Sequence, residues 1–135
     1  MRFDDIKKMI EDDIVIDPTE LDKEALKTPQ LHGKYLNILT DEKLSLSKYR
    51  SDYKRLKRNK WLYYTGKLSE EELRDLNWEP FGLSILKSDI DKFLDSDEEL
   101  IKIKDKIVFI EEKVNYLEST IKMISNRQWL IREAI

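Results

Sequence analysis

Cysteine is absent from the 135 residues, so neither a disulfide framework nor a thiolate nucleophile or metal ligand is available. His32 is the only histidine, which excludes a histidine-based catalytic triad or metal centre. No Gly-rich phosphate loop and no Walker-type lysine is present. No apolar run approaches the ~20 residues of a membrane span. The start, Met1-Arg2-Phe3-Asp4-Asp5, lacks the charged-then-apolar order of a signal peptide. The expectation is a soluble, intracellular protein without a membrane partner. Acids cluster at Asp89, Asp91, Asp95, Asp97, Glu98 and Glu99, but without the glycine and ligand spacing of a Ca²⁺ loop. No cofactor, no metal and no catalysis are expected.

Three Gly and three Pro leave little turn chemistry, which favours few, long elements. With 40% hydrophobic and 39% charged residues, the pattern is that of an all-α protein forming one helical domain over residues 1–135. Residues 1–28 form an N-terminal arm with short helices. Phe3, Ile6, Met9 and Ile10 share a helical face, Ile14 to Ile16 are extended, and Asp17-Pro18 caps and opens a helix carrying Leu21, Ala25 and Leu26. Thr28-Pro29 repeats that signal and opens the basic region, residues 29–67. Whether Pro29 to Tyr64 is one helix or two is open, because Gly33 weakens it and Thr40-Asp41 offers a fresh cap. Gly66 ends it as a C′ residue. Residues 69–96 hold short helices and a connector. Ser69 to Glu72 form a capping box for a helix reaching Leu76, and Ser84 to Leu94 form another with Leu86, Ile90, Phe93 and Leu94 inward. Residues 97–134 are one long helix.

Two stretches carry functional signals. Residues 48–67 hold eight Lys or Arg against Asp52 alone, a charge of +7 within a chain of net −3. Tyr49, Tyr53, Trp61, Tyr63 and Tyr64 are interleaved with these charges. Cations that neutralise phosphates beside rings that stack on bases are what a single-strand nucleic-acid site needs. On a helix of ~3.6 residues per turn, Leu46, Tyr49, Tyr53, Leu56, Lys60 and Tyr63 share a packing side. Arg50, Lys54, Arg55, Lys57 and Arg58 project opposite, with Trp61 among them. The phosphate-binding candidates are Lys54, Arg55, Lys57, Arg58 and Lys60, with Trp61 or Tyr64 for stacking. In the last helix, Leu100, Ile103, Ile107, Ile110, Val114, Leu117, Ile121, Ile124, Gln128 and Ile131 recur at alternating 3 and 4 spacing, a heptad seam. Ile101, Val108, Phe109, Tyr116, Met123, Trp129 and Leu130 widen it. So long an apolar helix predicts self-association through Ile103, Ile107, Ile110, Val114, Leu117, Ile121, Ile124 and Ile131. An intramolecular bundle with the basic helix is the alternative.

Several motifs together resemble a known family. Ile16-Asp17-x-Thr19-x-Leu21 with Glu24-Ala25, the order Leu31, Lys34, Leu36, Asn37, and Leu86-x-Ser88-Asp89-x-Asp91 are similar to the UvsY family, the recombination mediators of T-even-type phages. Arg58-x-Lys60-x-x-Tyr63-Tyr64-x-Gly66-Lys67 resembles that family's DNA-binding segment, with the basic pair in reversed order, and adds Lys67 to the candidates. The resemblance implies a non-enzymatic protein that binds single-stranded DNA as a ring-like homo-oligomer, hexamer or heptamer. It implies partners too: a RecA-like phage recombinase (UvsX), loaded onto strands covered by the phage single-strand-binding protein, in the cytoplasm of the infected bacterial host. Two readings compete from the residues alone. One is a coiled-coil adaptor or scaffold, the other a regulator reading duplex DNA with a basic helix.

Overall fold

A computed structural model describes residues 1–134. It is all-α: α1 (Phe3–Asp13), α2 (Leu21–Tyr64), α3 (Glu70–Leu76), a 3-10 turn (Lys87–Asp89), α4 (Ile90–Asp95) and α5 (Glu98–Ala134). No strand occurs among the described residues. The chain forms two compact units, one from residues 1–46 with the chain from Phe109 onward, the other from residues 47–108.

The first unit holds α1, the first part of α2 and most of α5. Its core takes Ile6 and Ile10 from α1, Tyr35, Leu39 and Leu46 from α2, and Ile110, Val114, Leu117, Ile124 and Ile131 from α5. The part of the α5 heptad seam in this unit, expected to face other copies, is covered within the chain by α1 and α2. Burying it against α1 and α2 removes the same apolar area from water as a second copy would. Polar ties set the register. The Tyr35 hydroxyl donates to Asp13 at 2.6 Å, and Lys113 pairs with Glu42 at 3.0 Å and donates to the Met1 carbonyl at 3.1 Å.

Helix α2 is a single helix beginning at Leu21, not at Pro18. The Asp17 carboxylate accepts from the Thr19 amide and hydroxyl, a local turn that spends the group expected to cap. Nor does Thr28-Pro29 start a helix; Pro29 lies inside one. An interior proline costs ~3 kcal/mol, and here the preceding turn is pinned by the rest of the unit. Buried Arg127 donates to the Glu24 carbonyl at 3.2 Å and the Thr28 hydroxyl at 2.8 Å, and pairs with the Glu24 carboxylate.

In the second unit, Ile90, Leu94 and Leu100 form the core, with Tyr53, Leu56, Tyr64 and Ile85 packed against it. Gly66, at φ +70°, ends α2. The Lys67 amide reaches the Leu62 carbonyl at 2.8 Å and the Gly66 amide reaches Tyr63 at 3.2 Å, the paired bonds of a Schellman end. Ser69 and Glu72 form the expected capping box on α3. Asn77 closes that helix in the left-handed region. The helix expected over Ser84 to Leu94 begins only at the Lys87 turn. Leu86 stays extended and 70% exposed, because Pro80 and Gly82 (φ +71°) carry the connector in as irregular backbone.

Candidate nucleic-acid interface

The exposed basic face is built by helical spacing. Lys54, Lys57, Arg58 and Trp61 stand at i, i+3, i+4 and i+7 of α2, which places them on one side. Opposite-side neighbours Tyr53 and Leu56 pack on the unit's core, and that contact fixes which way the charged face points. Lys54, Lys57 and Arg58 are solvent-exposed and form no ion pair among the described residues. Arg55 is exposed as well, but its guanidinium is held by Asp52 at 2.6 Å. Trp61 is 38% exposed, and the Lys67 ammonium sits 4.5 Å from its ring centre.

Lys60 is not on this face. Its side chain is 8% exposed and pairs with Asp97 at 3.1 Å and Glu99 at 3.4 Å. Its ammonium also lies 4.3 Å from the Trp78 ring centre. The structure places this candidate phosphate contact in a buried ion-pair network, and the reason is visible in spacing: Lys60 falls with Tyr53, Leu56 and Tyr63 on the packing side. Tyr64 is half-buried too. Its hydroxyl donates to Asp97 at 2.6 Å, and its ring meets Phe81 and Phe93 at 5.0 and 5.5 Å.

Asp97, read in the sequence only as one of an acidic cluster, is the anchor of this end of the helix. One carboxylate oxygen accepts the Leu100 amide at 3.0 Å, capping α5. The other takes the Tyr64 hydroxyl and Lys60. The end of the basic helix is thus tied to the start of α5 by one acid that is 4% exposed. Ser96-Asp97-Glu98-Glu99 reads locally as a helix start, but its pairing with a residue 37 positions earlier leaves no local trace.

The same geometry sets a pH dependence. Burial pushes the Asp97 carboxyl up, yet hydrogen bonds from Tyr64, the Leu100 amide and Lys60 outweigh burial and hold its pKa below the ordinary value. Burial and the bond to Asp97 push the Tyr64 hydroxyl up. A group lowered on folding contributes stability above its unfolded pKa, about 4 for Asp, and loses it as pH falls through the folded value. Asn at position 97 keeps capping ability but carries no charge. The Tm gap between the wild type and Asp97→Asn should therefore be widest near neutral pH and close as pH falls below about 4. A gap that stays constant into acid would contradict the role given to this carboxylate.

The residues expected to mediate assembly lie on α5 and are largely covered within the chain. Ile107, Ile110, Val114, Leu117, Ile124 and Ile131 are buried within the chain, and Ile103 and Ile121 are partly buried. What α5 leaves exposed in the first unit is Phe109, Met123, Trp129 and Leu130. Phe109, Tyr116, Met123 and Leu130 recur every seven residues, a second stripe beside the covered seam. Phe3 meets Phe109 and Tyr116 edge-on at 5.9 and 5.4 Å.

The chain is all-α and presents one basic, aromatic-bearing helical face, the footprint of a nucleic-acid-binding protein. The family model described as recombination, repair and ssDNA binding protein UvsY matches residues 9–135, and the chain belongs to that family of recombination mediators. The recombination protein uvsY of Enterobacteria phage T4 is 22% identical over 132 residues, covering 98% of this chain and 91% of the relative. Two crystal structures of the bacteriophage T4 recombination mediator protein UvsY share the fold. Lattice type IV matches with a TM-score of 0.85 at 20% identity, covering 98% of this chain and 94% of that one. Lattice type II matches with 0.84 at 21% identity, covering 98% and 92%.

Proposed function

We propose that this chain binds single-stranded DNA through Lys54, Lys57 and Arg58, assisted by Arg55 and Lys67, and acts without catalysis as a recombination mediator. The observation that carries this reading is the unpaired, exposed basic stripe of α2 on a chain of net −3. Three free cations and an indole on one helical side suit a strand whose phosphates and bases are both accessible. One such strip is weak. Joining copies through the exposed stripe of Phe109, Met123 and Leu130 would present several strips to one strand, raising avidity by roughly 10²–10⁴. We take the assembly to be a ring of six or seven copies. It holds the strand so that a RecA-like phage recombinase (UvsX) can replace the phage single-strand-binding protein, in the cytoplasm of the infected host. Among the described residues no helix is long and apolar enough to cross a membrane.

The test combines fluorescence anisotropy on a labelled single strand and its duplex with particle mass on the same sample. The expected result is a multimer that prefers the single strand. Equal affinity for duplex would favour a duplex-reading regulator, and no binding would favour an adaptor. Phe109→Asp with Leu130→Asp should reduce particle mass and weaken binding together. Unchanged mass would move the assembly contact to another surface.

A further inference from the structure

The basic stripe of α2 runs into a cavity at the helix's C-terminal end, within the second unit. Its volume is about 430 Å³, and it is lined by Trp61, Tyr64 and Lys67 at the end of α2 and by Ile85, Lys87 and Ile90 across from them. No carboxylate lines it, although the chain carries 28 Asp and Glu. The walls divide by chemistry. Trp61 is a partly exposed flat ring, Ile85 and Ile90 are apolar, and Lys67 and Lys87 are exposed cations without an ion pair among the described residues. Lys87 lies outside the basic island and reaches the cavity only because the connector folds back on the end of α2.

We infer that this cavity is a nucleotide pocket, which takes one base of the bound strand against Trp61 while Lys67 and Lys87 hold the flanking phosphates. The inference rests on the single-strand reading above and adds a contact to a base. Three features select this occupant over a bare anion or an apolar peptide. Two cations in a lining that contains no carboxylate favour phosphate. A half-exposed indole beside aliphatic side chains favours a flat, apolar-faced ring. The third is continuity, since Trp61 is both the last member of the stripe and a wall of the cavity. In the free protein the Lys67 ammonium lies 4.5 Å from the indole centre. Base stacking on an indole outweighs an exposed cation–π contact, so an arriving base displaces Lys67 from the ring toward the phosphate beside it. Such a pocket adds a contact to a base to the phosphate contacts that position the strand.

The experiment compares an oligothymidylate with an abasic strand of equal length and equal phosphate number, on the full chain. The wild type should bind the intact strand about tenfold more tightly, the scale of one stacked base. Trp61→Ala should bring the intact strand down to the abasic level and leave the abasic strand unchanged, and Trp61→Tyr should restore most of the difference. Lys87→Glu, at an exposed site that leaves the core untouched, should weaken the intact strand severalfold. Wild-type binding that does not distinguish the strands overturns the pocket alone, as does an equal loss on both strands in Trp61→Ala. Failure of the wild type to bind either strand overturns the single-strand reading and the pocket with it.

Discussion

Lys60→Met should lower the stability of the protein by about 3 kcal/mol, a fall of roughly 10 °C in Tm for a chain of this size. The substitution keeps the aliphatic stem and removes the ammonium, leaving Asp97 charged and buried with only Tyr64 and the Leu100 amide as partners. The loss comes from the orphaned carboxylate and not from any strength of the ion pair itself. Adding Asp97→Asn to Lys60→Met should therefore recover part of the loss, so the double variant is more stable than the sum of the singles predicts. Thermal melts of the four proteins check this. If Lys60→Met kept the wild-type Tm and lost DNA affinity instead, Lys60 would belong to the binding face after all.

The second large effect lies on the other side of the same helix. Lys54→Ala, Lys57→Ala and Arg58→Ala together should leave Tm within a few degrees of the wild type, since all three side chains are exposed and unpaired. Affinity for single strands should fall by roughly 10² at 0.1 M salt. Three phosphate contacts on a single strand release about 0.7 counterions each, a change of ~2 in the exponent of salt concentration. The loss should be equal for all sequences, because phosphate contacts carry no base information. In an assembly the loss multiplies across subunits and is a lower bound. A variant that bound as tightly as the wild type would remove the stripe from the interface.

Elements written in local pattern were legible from the sequence. The Ser69–Glu72 box and the Gly66 end are each set by a few adjacent residues and α5 by a sustained heptad pattern, and each forms as read. The exposed side of α2 was legible too, because charge and aromatic spacing separate its two faces. What was not legible depended on partners far along the chain. Thr28-Pro29 carries the local signal of a helix start, and only Arg127, about a hundred residues away, shows why the helix continues through it. Asp17 carries the signal of a cap, but Thr19 takes its carboxylate first. The α5 seam announced a partner without naming it. Periodicity measures how apolar a face is and not whether the covering helix belongs to the same chain. Lys60 is a different case, since its spacing pointed inward while the resemblance to a basic motif pointed outward. Spacing reflects the packing that this chain must satisfy, and here it agrees with the structure.

In the proposed reading, the free cations of α2 hold the strand. The decisive quantity is the slope of log affinity against log salt for a labelled single strand, taken on the wild type and on the Lys54, Lys57 and Arg58 triple-alanine variant. The expected result is a steep wild-type slope that flattens by at least about 2 in the variant, with helicity and Tm retained. Equal slopes for the two proteins would contradict it, because the counterions would then be released by charges elsewhere on the molecule.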